Sequence, residues 1–203
     1  MIGNLINHFK KTMAFVKKPA FNYTHLKGLR KYIKNTKGFI AGGCFKDIFS
    51  GKKLRDVDIF FPTEEDYNKA LEIYTKKCKG KKGGLREIYS NDNCTGYRDS
   101  KRGINIELIK SIFGNPEDVI NQFDFTVVQA AYFNPEGDEP IQFIYHPQFF
   151  EHLTLKRLVV NSDNIVKPVS TLNRAFKYAG YGFGLCRESK VTLTKAVIER
   201  GVC

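Results

Sequence analysis

Asp56 and Asp58 stand two residues apart in the run 55–61, RDVDIFF, which alternates charged and apolar residues and then turns fully apolar, as a β-strand does. On a strand, residues i and i+2 project from one face, so the two carboxylates are expected side by side. Adjacent carboxylates repel each other unless a cation lies between them. Mg²⁺ (or Mn²⁺) takes hard oxygen ligands and completes its shell with water and phosphate oxygens. Paired ions of this kind activate an attacking hydroxyl and stabilise a departing pyrophosphate. Upstream lies Gly42-Gly43, where the missing side chains would let backbone N–H groups approach a triphosphate. Lys46 would add positive charge there. Taken singly, an Asp-x-Asp also describes a solvated strand edge and a Gly-Gly pair an ordinary turn. The ordered combination is the specific signal.

These residues need elements to position them. Residues 38–41 read as a short apolar strand entering the diglycine, 44–50 as a short helix ended by Ser50-Gly51, and 55–61 as the acidic strand. Residues 23–35 read as a basic amphipathic helix with Leu26, Leu29, Tyr32 and Ile33 on one face, and 64–77 as a second helix. Between 78 and 84 the Lys- and Gly-rich CKGKKGG marks a loop, which could grip an RNA backbone or simply be solvated. Strands are expected at 85–89, 96–98 and 104–109. In the last, INIELI, Asn105 and Glu107 share the polar face. Pro116 opens a helix to Gln122, residues 123–133 are ambiguous by pattern, and 141–145 reads as a strand. From about Phe149 the chain reads as helices, LTLKRLVV, TLNRAFKYAGYGF and VTLTKAVIERG. The expected class is α+β, a mixed sheet flanked by helices. A head domain with an N-terminal basic helix is expected over 1–145, and a helical neck-like segment over 146–203.

The segment GFIAGGCFKDIFSGKKLRDVDIFF, 38–61, resembles the active-site signature of the DNA polymerase β-type nucleotidyltransferases. It is most similar to the head of tRNA CCA-adding enzymes and bacterial poly(A) polymerases, with their pattern Gly-Gly-x-Val-Arg-Asp, then Leu-Gly, then Asp-Ile-Asp. Gly42, Gly43 and Asp47 match, Lys46 stands where those proteins have Arg, and Asp56 and Asp58 match the metal pair. Residues 116–133 resemble the stretch ending Arg-Arg-Asp-Phe-Thr-Ile-Asn-Ala-Met-Ala-Tyr through Asp124, Phe125, Thr126, Ala130 and Tyr132, with Gln122 and Phe123 replacing both arginines. Residues 152–160 resemble the Asp-Leu-x-x-Lys-x-Leu-Arg element. STLNRAFKYAGYGF, 170–183, resembles the neck motif, with Arg174 and Lys177 at its basic positions. The family's Glu-Asp-x-x-Arg element for choosing the base does not follow before Cys203. The short form is also similar to small nucleotidyltransferase-like proteins of tailed phages.

The resemblance implies a fold of the polymerase β type and transfer of a nucleotide from an NTP. The acceptor would be the 3′ hydroxyl of an RNA, with tRNA first choice. Asp56 and Asp58 would bind the metal, Glu107 would be a third carboxylate acting on the hydroxyl, or else an exposed strand glutamate. Gly42, Gly43, Lys46, Asp47, Asp124, Arg174 and Lys177 would contact the nucleotide, with a structural ion pair as the alternative for Asp124 and Arg174. Two other functions remain open, an effector that nucleotidylates a protein or small molecule, and a non-catalytic nucleic-acid-binding protein on the same scaffold. The net charge of +12 suits a polyanionic partner. Five scattered cysteines fit neither a disulfide framework nor a zinc site. Residues 1–18 make a poor signal peptide and no run approaches a membrane span, so a cytoplasmic protein (in the host, if phage-encoded) is expected. His146 and His152 flank an aromatic patch, where a structural role is the simpler expectation.

Overall fold

A computed structural model describes residues 14–79 and 84–200. Eight strands form one mixed sheet, in the order β1-β8-β7-β2-β3-β6-β5-β4. In chain order they are β1 (Val16–Pro19), β2 (Phe39–Ala41), β3 (Asp56–Phe61), β4 (Leu85–Ser90), β5 (Cys94–Asp99), β6 (Ile104–Phe113), β7 (Ala130–Phe133) and β8 (Gln142–Tyr145). Only β3 and β6 pair in parallel among these neighbours; the rest are antiparallel.

Alternation along the central strands divides the core between the two faces. Ile40, Val57, Ile59, Ile106 and Leu108 join the larger cluster, with Tyr67, Ala70 and Tyr74 of helix α3 (Glu64–Lys79) and Phe45 of α2 (Cys44–Phe49). Phe39, Ala41 and Phe60 pack on the opposite face, against Val119 and Ile120 of α4 (Pro116–Asn121). The helix ends carry their own signals. Thr63 Oγ1 accepts the Asp66 N–H at 3.2 Å ahead of α3, whose first turn is acidic and last turn basic, matching the helix dipole. Asn115 caps α4 through the Asp118 N–H at 3.0 Å, and Pro116 occupies the first helical position.

Two expected helices are not continuous. Over 23–35 the chain forms a 3₁₀ turn at Thr24–Leu26 and a four-residue helix α1, Arg30–Ile33. Leu26, Leu29, Tyr32 and Ile33 are buried as their spacing demanded, but Gly28, about 1 kcal/mol worse than Ala in a helix, interrupts the run. So the N-terminal basic helix is a broken, two-turn segment.

The run LTLKRLVV also differs. Helix α5 (Phe149–Thr154) ends before Lys156, which has a left-handed φ of 52°, and Arg157–Leu158 becomes strand β9. The tertiary partner decides this. Thr126 N–H donates to Val159 O at 3.1 Å, Asn161 N–H donates to Asp124 O at 2.8 Å, and Phe125 bridges Val160. The β-branched Val159 and Val160 suit that extended pairing better than a helix.

The remainder is helical as expected, with α6 (Pro168–Ala179) and α7 (Arg187–Arg200). Between them β10 (Gly184–Leu185) pairs with β9 in parallel. The ambiguous stretch after Gln122 resolves into a 3₁₀ turn, Thr126–Val128, and then β7. No described helix is long and apolar enough to cross a membrane. The 80–83 part of the basic loop, Cys203 and most of the N-terminal stretch read for a signal peptide lie outside the described residues.

Candidate active site

Burial along β3 runs exposed Asp56, buried Val57, partly buried Asp58, buried Ile59, so the two aspartates share the face opposite the larger core. Across the parallel pairing Asp56 faces Asn105 and Asp58 faces Glu107 on β6; across the antiparallel one Asp58 faces Ala41 on β2. Asn105 Nδ2 donates to Asp56 Oδ1 at 2.9 Å. Asp58 makes no hydrogen bond or ion pair to any described residue. Burial first, then the charges of Glu107 and Asp56, push its carboxyl up to about 7; Arg174 and Lys177 pull the other way. Three acidic groups are thus crowded on one face with too little cationic compensation, the electrostatic condition a divalent cation relieves.

The donor set fits such an ion in part. Among the described residues no group of three or more His, Cys, Asp or Glu side chains is gathered to hold a metal. Coordination would draw on Asp56 and Asp58 together with water and substrate oxygens, the usual manner for Mg²⁺. Glu107 lies beside the pair and is bonded toward the other side, accepting the Tyr89 hydroxyl on Oε1 and the Cys94 thiol on Oε2 at 3.7 Å.

The diglycine sits against this face. Gly42 has φ of 96°, and a Cβ there would lie 3.7 Å from Asp58 Oδ2. Its N–H donates to Ala130 O at 3.1 Å. The expectation that both glycines aim N–H groups at a phosphate is therefore corrected for Gly42, because sheet pairing with the strand after the 3₁₀ turn consumes its donor. Gly43 opens α2, and the Tyr178 hydroxyl lies 3.7 Å from the place of its missing Cβ. Lys46 is buried, bonded to the neighbouring Asp47, with Nζ 5.7 Å and 5.2 Å from the ring centroids of Tyr178 and Tyr181. Its charge is held within the junction of α2 and α6 rather than extended into solvent.

Asp124 and Arg174 form an ion pair, Nε to Oδ2 3.2 Å, joining the start of the 3₁₀ segment to α6. Burial raises the Asp124 carboxyl above its ordinary range while Arg174 opposes the rise, and the buried Oδ1 has no hydrogen-bond partner among the described residues. Lys177 is exposed one turn further along α6. His146 and His152 are buried with rings 6.5 Å apart; burial lowers His146 to about 4, and His152 Nδ1 bonds Thr126 Oγ1 at 2.8 Å.

The family model for Gabija anti-defense 2 proteins matches residues 8–156. The chain belongs to the Gabija anti-defense 2 family. A curated member, Gabija anti-defense 2 of Bacillus phage SPbetaL7, is 29% identical over 154 residues, 72% of this chain and 34% of that protein. The chain thus spans about a third of its relative's length. Solved structures extend the comparison of this family member to the fold. A Thermotoga maritima CCA-adding enzyme complexed with tRNA superposes with a TM-score of 0.60 at 16% identity, over 91% of this chain and 46% of that one. A tRNA-processing enzyme in an apo form gives 0.58 at 20% identity, over 91% and 49%. A CCA-adding enzyme with CTP gives 0.57 at 17% identity, over 81% and 40%. The fold is nucleotidyltransferase-like.

In this family member three residues at the site escaped the sequence reading. Tyr178 and Tyr181 lie in the stretch 170–183 that resembles a neck motif, whose aromatic spacing was a usable signal. Tyr89 had none, since its approach to Glu107 crosses the intervening strand β5.

Proposed function

We propose that this chain performs metal-dependent nucleotidyl transfer, moving an NMP from an NTP onto a hydroxyl. The observation that carries the proposal is the Asp56–Asp58–Glu107 crowding, in which Asp58 has no hydrogen-bonding or ion-pairing partner among the described residues. Asp56 and Asp58 would hold Mg²⁺ or Mn²⁺. Bound there, the ion supplies Lewis acidity toward the triphosphate and the attacking hydroxyl. Glu107, on the neighbouring strand, would be the third carboxylate, acting on the ion that activates the acceptor hydroxyl. Arg174 and Lys177 supply positive charge toward the nucleotide, and Gly43 offers close backbone approach. Lys46 and Asp47 then brace α2 against α6, and Asp124 anchors Arg174. The division into a head, 1–145, and a neck-like segment, 146–203, belongs to the same proposal; the separate β9–β10 sheet supports it.

The first acceptor is an RNA 3′ hydroxyl, tRNA before others, as the +12 charge and the tRNA-bound structural neighbour suggest. A second reading is favoured by the family's description as anti-defense, which points to a phage effector in the host cytoplasm that nucleotidylates a protein or small molecule of the host. Incubating the protein with each labelled NTP, Mg²⁺, total RNA and host-cell extract separates them, beside an Asp56→Ala/Asp58→Ala control. Label on RNA supports the first acceptor and label on protein or a small metabolite the second. No aspartate-dependent label on any of these, with nucleic acid still bound, would reject catalysis in favour of a binding role.

A further inference from the structure

Four strands place one residue each in a row across the sheet. Tyr89 on β4 pairs with Gly96 on β5, Gly96 with Glu107 on β6, and Glu107 with Asp58 on β3. Neighbouring strands lie about 4.8 Å apart, so Tyr89 and Glu107 are separated by roughly twice that at the backbone. A tyrosine hydroxyl can span such a gap only if nothing stands between. At Gly96 nothing does: a Cβ there would lie 2.6 Å and 2.7 Å from Cε1 and Cε2 of the Tyr89 ring, inside van der Waals contact. The ring lies across the bare Cα, and its hydroxyl donates to Glu107 Oε1.

The register delivers this tyrosine on purpose-built backbone. The β4–β5 ladder pairs Arg86 with Arg98 and Glu87 with Tyr97, after which a regular ladder would set Ile88 opposite Gly96. A bulge between Glu87 and Tyr89 shifts the pairing by one residue and brings Tyr89 there instead. Three features, the bulge, the glycine and the tyrosine, therefore converge on one carboxylate oxygen. As a support for the outer strand the arrangement is poor, since Tyr89 is 39% exposed.

We propose that Tyr89 is a positioning residue for the third carboxylate, holding Glu107 oriented beside Asp58 through the notch at Gly96. This rests on the reading of Asp56, Asp58 and Glu107 as a metal and nucleotide site. Hydrogen-bonded outer partners of ligating carboxylates commonly change metal affinity by about 10–100-fold when removed, and a half-exposed phenol belongs at the low end.

The test is Mn²⁺ binding in the presence of a non-hydrolysable ATP analogue, followed by electron paramagnetic resonance, with thermal midpoints recorded alongside. Tyr89→Phe keeps the ring and removes the donor; it should weaken Mn²⁺ binding about tenfold without a matching loss of thermal stability. Gly96→Ala, which expels the ring, should do the same. In a Tyr89→Ala background Gly96→Ala should add nothing, because no ring remains to clash. In a Glu107→Gln background Tyr89→Phe should be silent. Unchanged or tighter Mn²⁺ binding in Tyr89→Phe overturns the proposal, as does an effect that survives Glu107→Gln. Should the parent protein show no Mn²⁺ binding that Asp56→Ala/Asp58→Ala abolishes, the metal-site reading itself is rejected and Tyr89's role with it.

Discussion

Replacing Asp58 with Asn should stabilise the metal-free protein, the reverse of what most substitutions at a partly buried position do. The side chain keeps its shape and loses a charge that burial, Glu107 and Asp56 all oppose. The rise of its carboxyl from the ordinary 3.8 to about 7 sets the size. At about 1.4 kcal/mol for each tenfold change in proton affinity, it corresponds to at most about 4 kcal/mol above neutral pH. Residual solvent contact and relaxation of the neighbouring carboxylates reduce that to about 2 kcal/mol or less. The sign follows from linkage. A carboxyl whose folded pKa is raised contributes fully below pH 3.8 and loses that contribution as pH climbs through about 7. Urea unfolding of parent and variant with a chelator present, at pH 4 and pH 8, should therefore show near-equal stability at the lower pH and a variant advantage at the higher. Adding Mg²⁺ with a non-hydrolysable NTP at pH 8 should stabilise the parent and leave Asp58→Asn where it was. An Asn variant that is less stable than the parent at pH 8 under chelator would refute the claim that the crowded carboxylate is uncompensated.

Two further outcomes follow from the same face. Arg174→Ala strips from buried Asp124 its ionic partner among the described residues, where its other oxygen also has no hydrogen-bond partner, and should lower unfolding free energy by about 1–3 kcal/mol, discounted because the guanidinium is half-exposed; Asp124→Asn in the same background should restore part of the loss. Gly42→Ala meets no close contact at Asp58, so its cost comes from φ of 96° alone and should be about 1–3 kcal/mol in chemical denaturation.

Much of the frame was legible from residue pattern. The strand 55–61 was recognisable because alternation of Asp56, Val57, Asp58 and Ile59 is a local property with a period of two, and its core face is buried as that period requires. Helix α3 declared itself through its apolar spacing and its acidic and basic ends. Leu26, Leu29, Tyr32 and Ile33 were recognised as a buried face even though the helix carrying them is broken. The segment 157–160 was not legible, because a run as short as Arg157-Leu158-Val159-Val160 carries no period that separates helix from strand, and only pairing with residues 124–126 decides between them.

Chain order alone determined which side chains carry acid, which backbone positions tolerate a left-handed bend at Gly42, and that Asp56 and Asp58 leave their strand on one side, since these depend on covalent geometry within a few residues. Tertiary structure decided the rest. Sheet pairing spent the Gly42 N–H on Ala130, folding α6 against α2 enclosed Lys46 between two tyrosines, and a one-residue bulge carried Tyr89 over Gly96 to Glu107. Each is a contact between segments distant along the chain, set by register and packing rather than by any local preference of the residues involved.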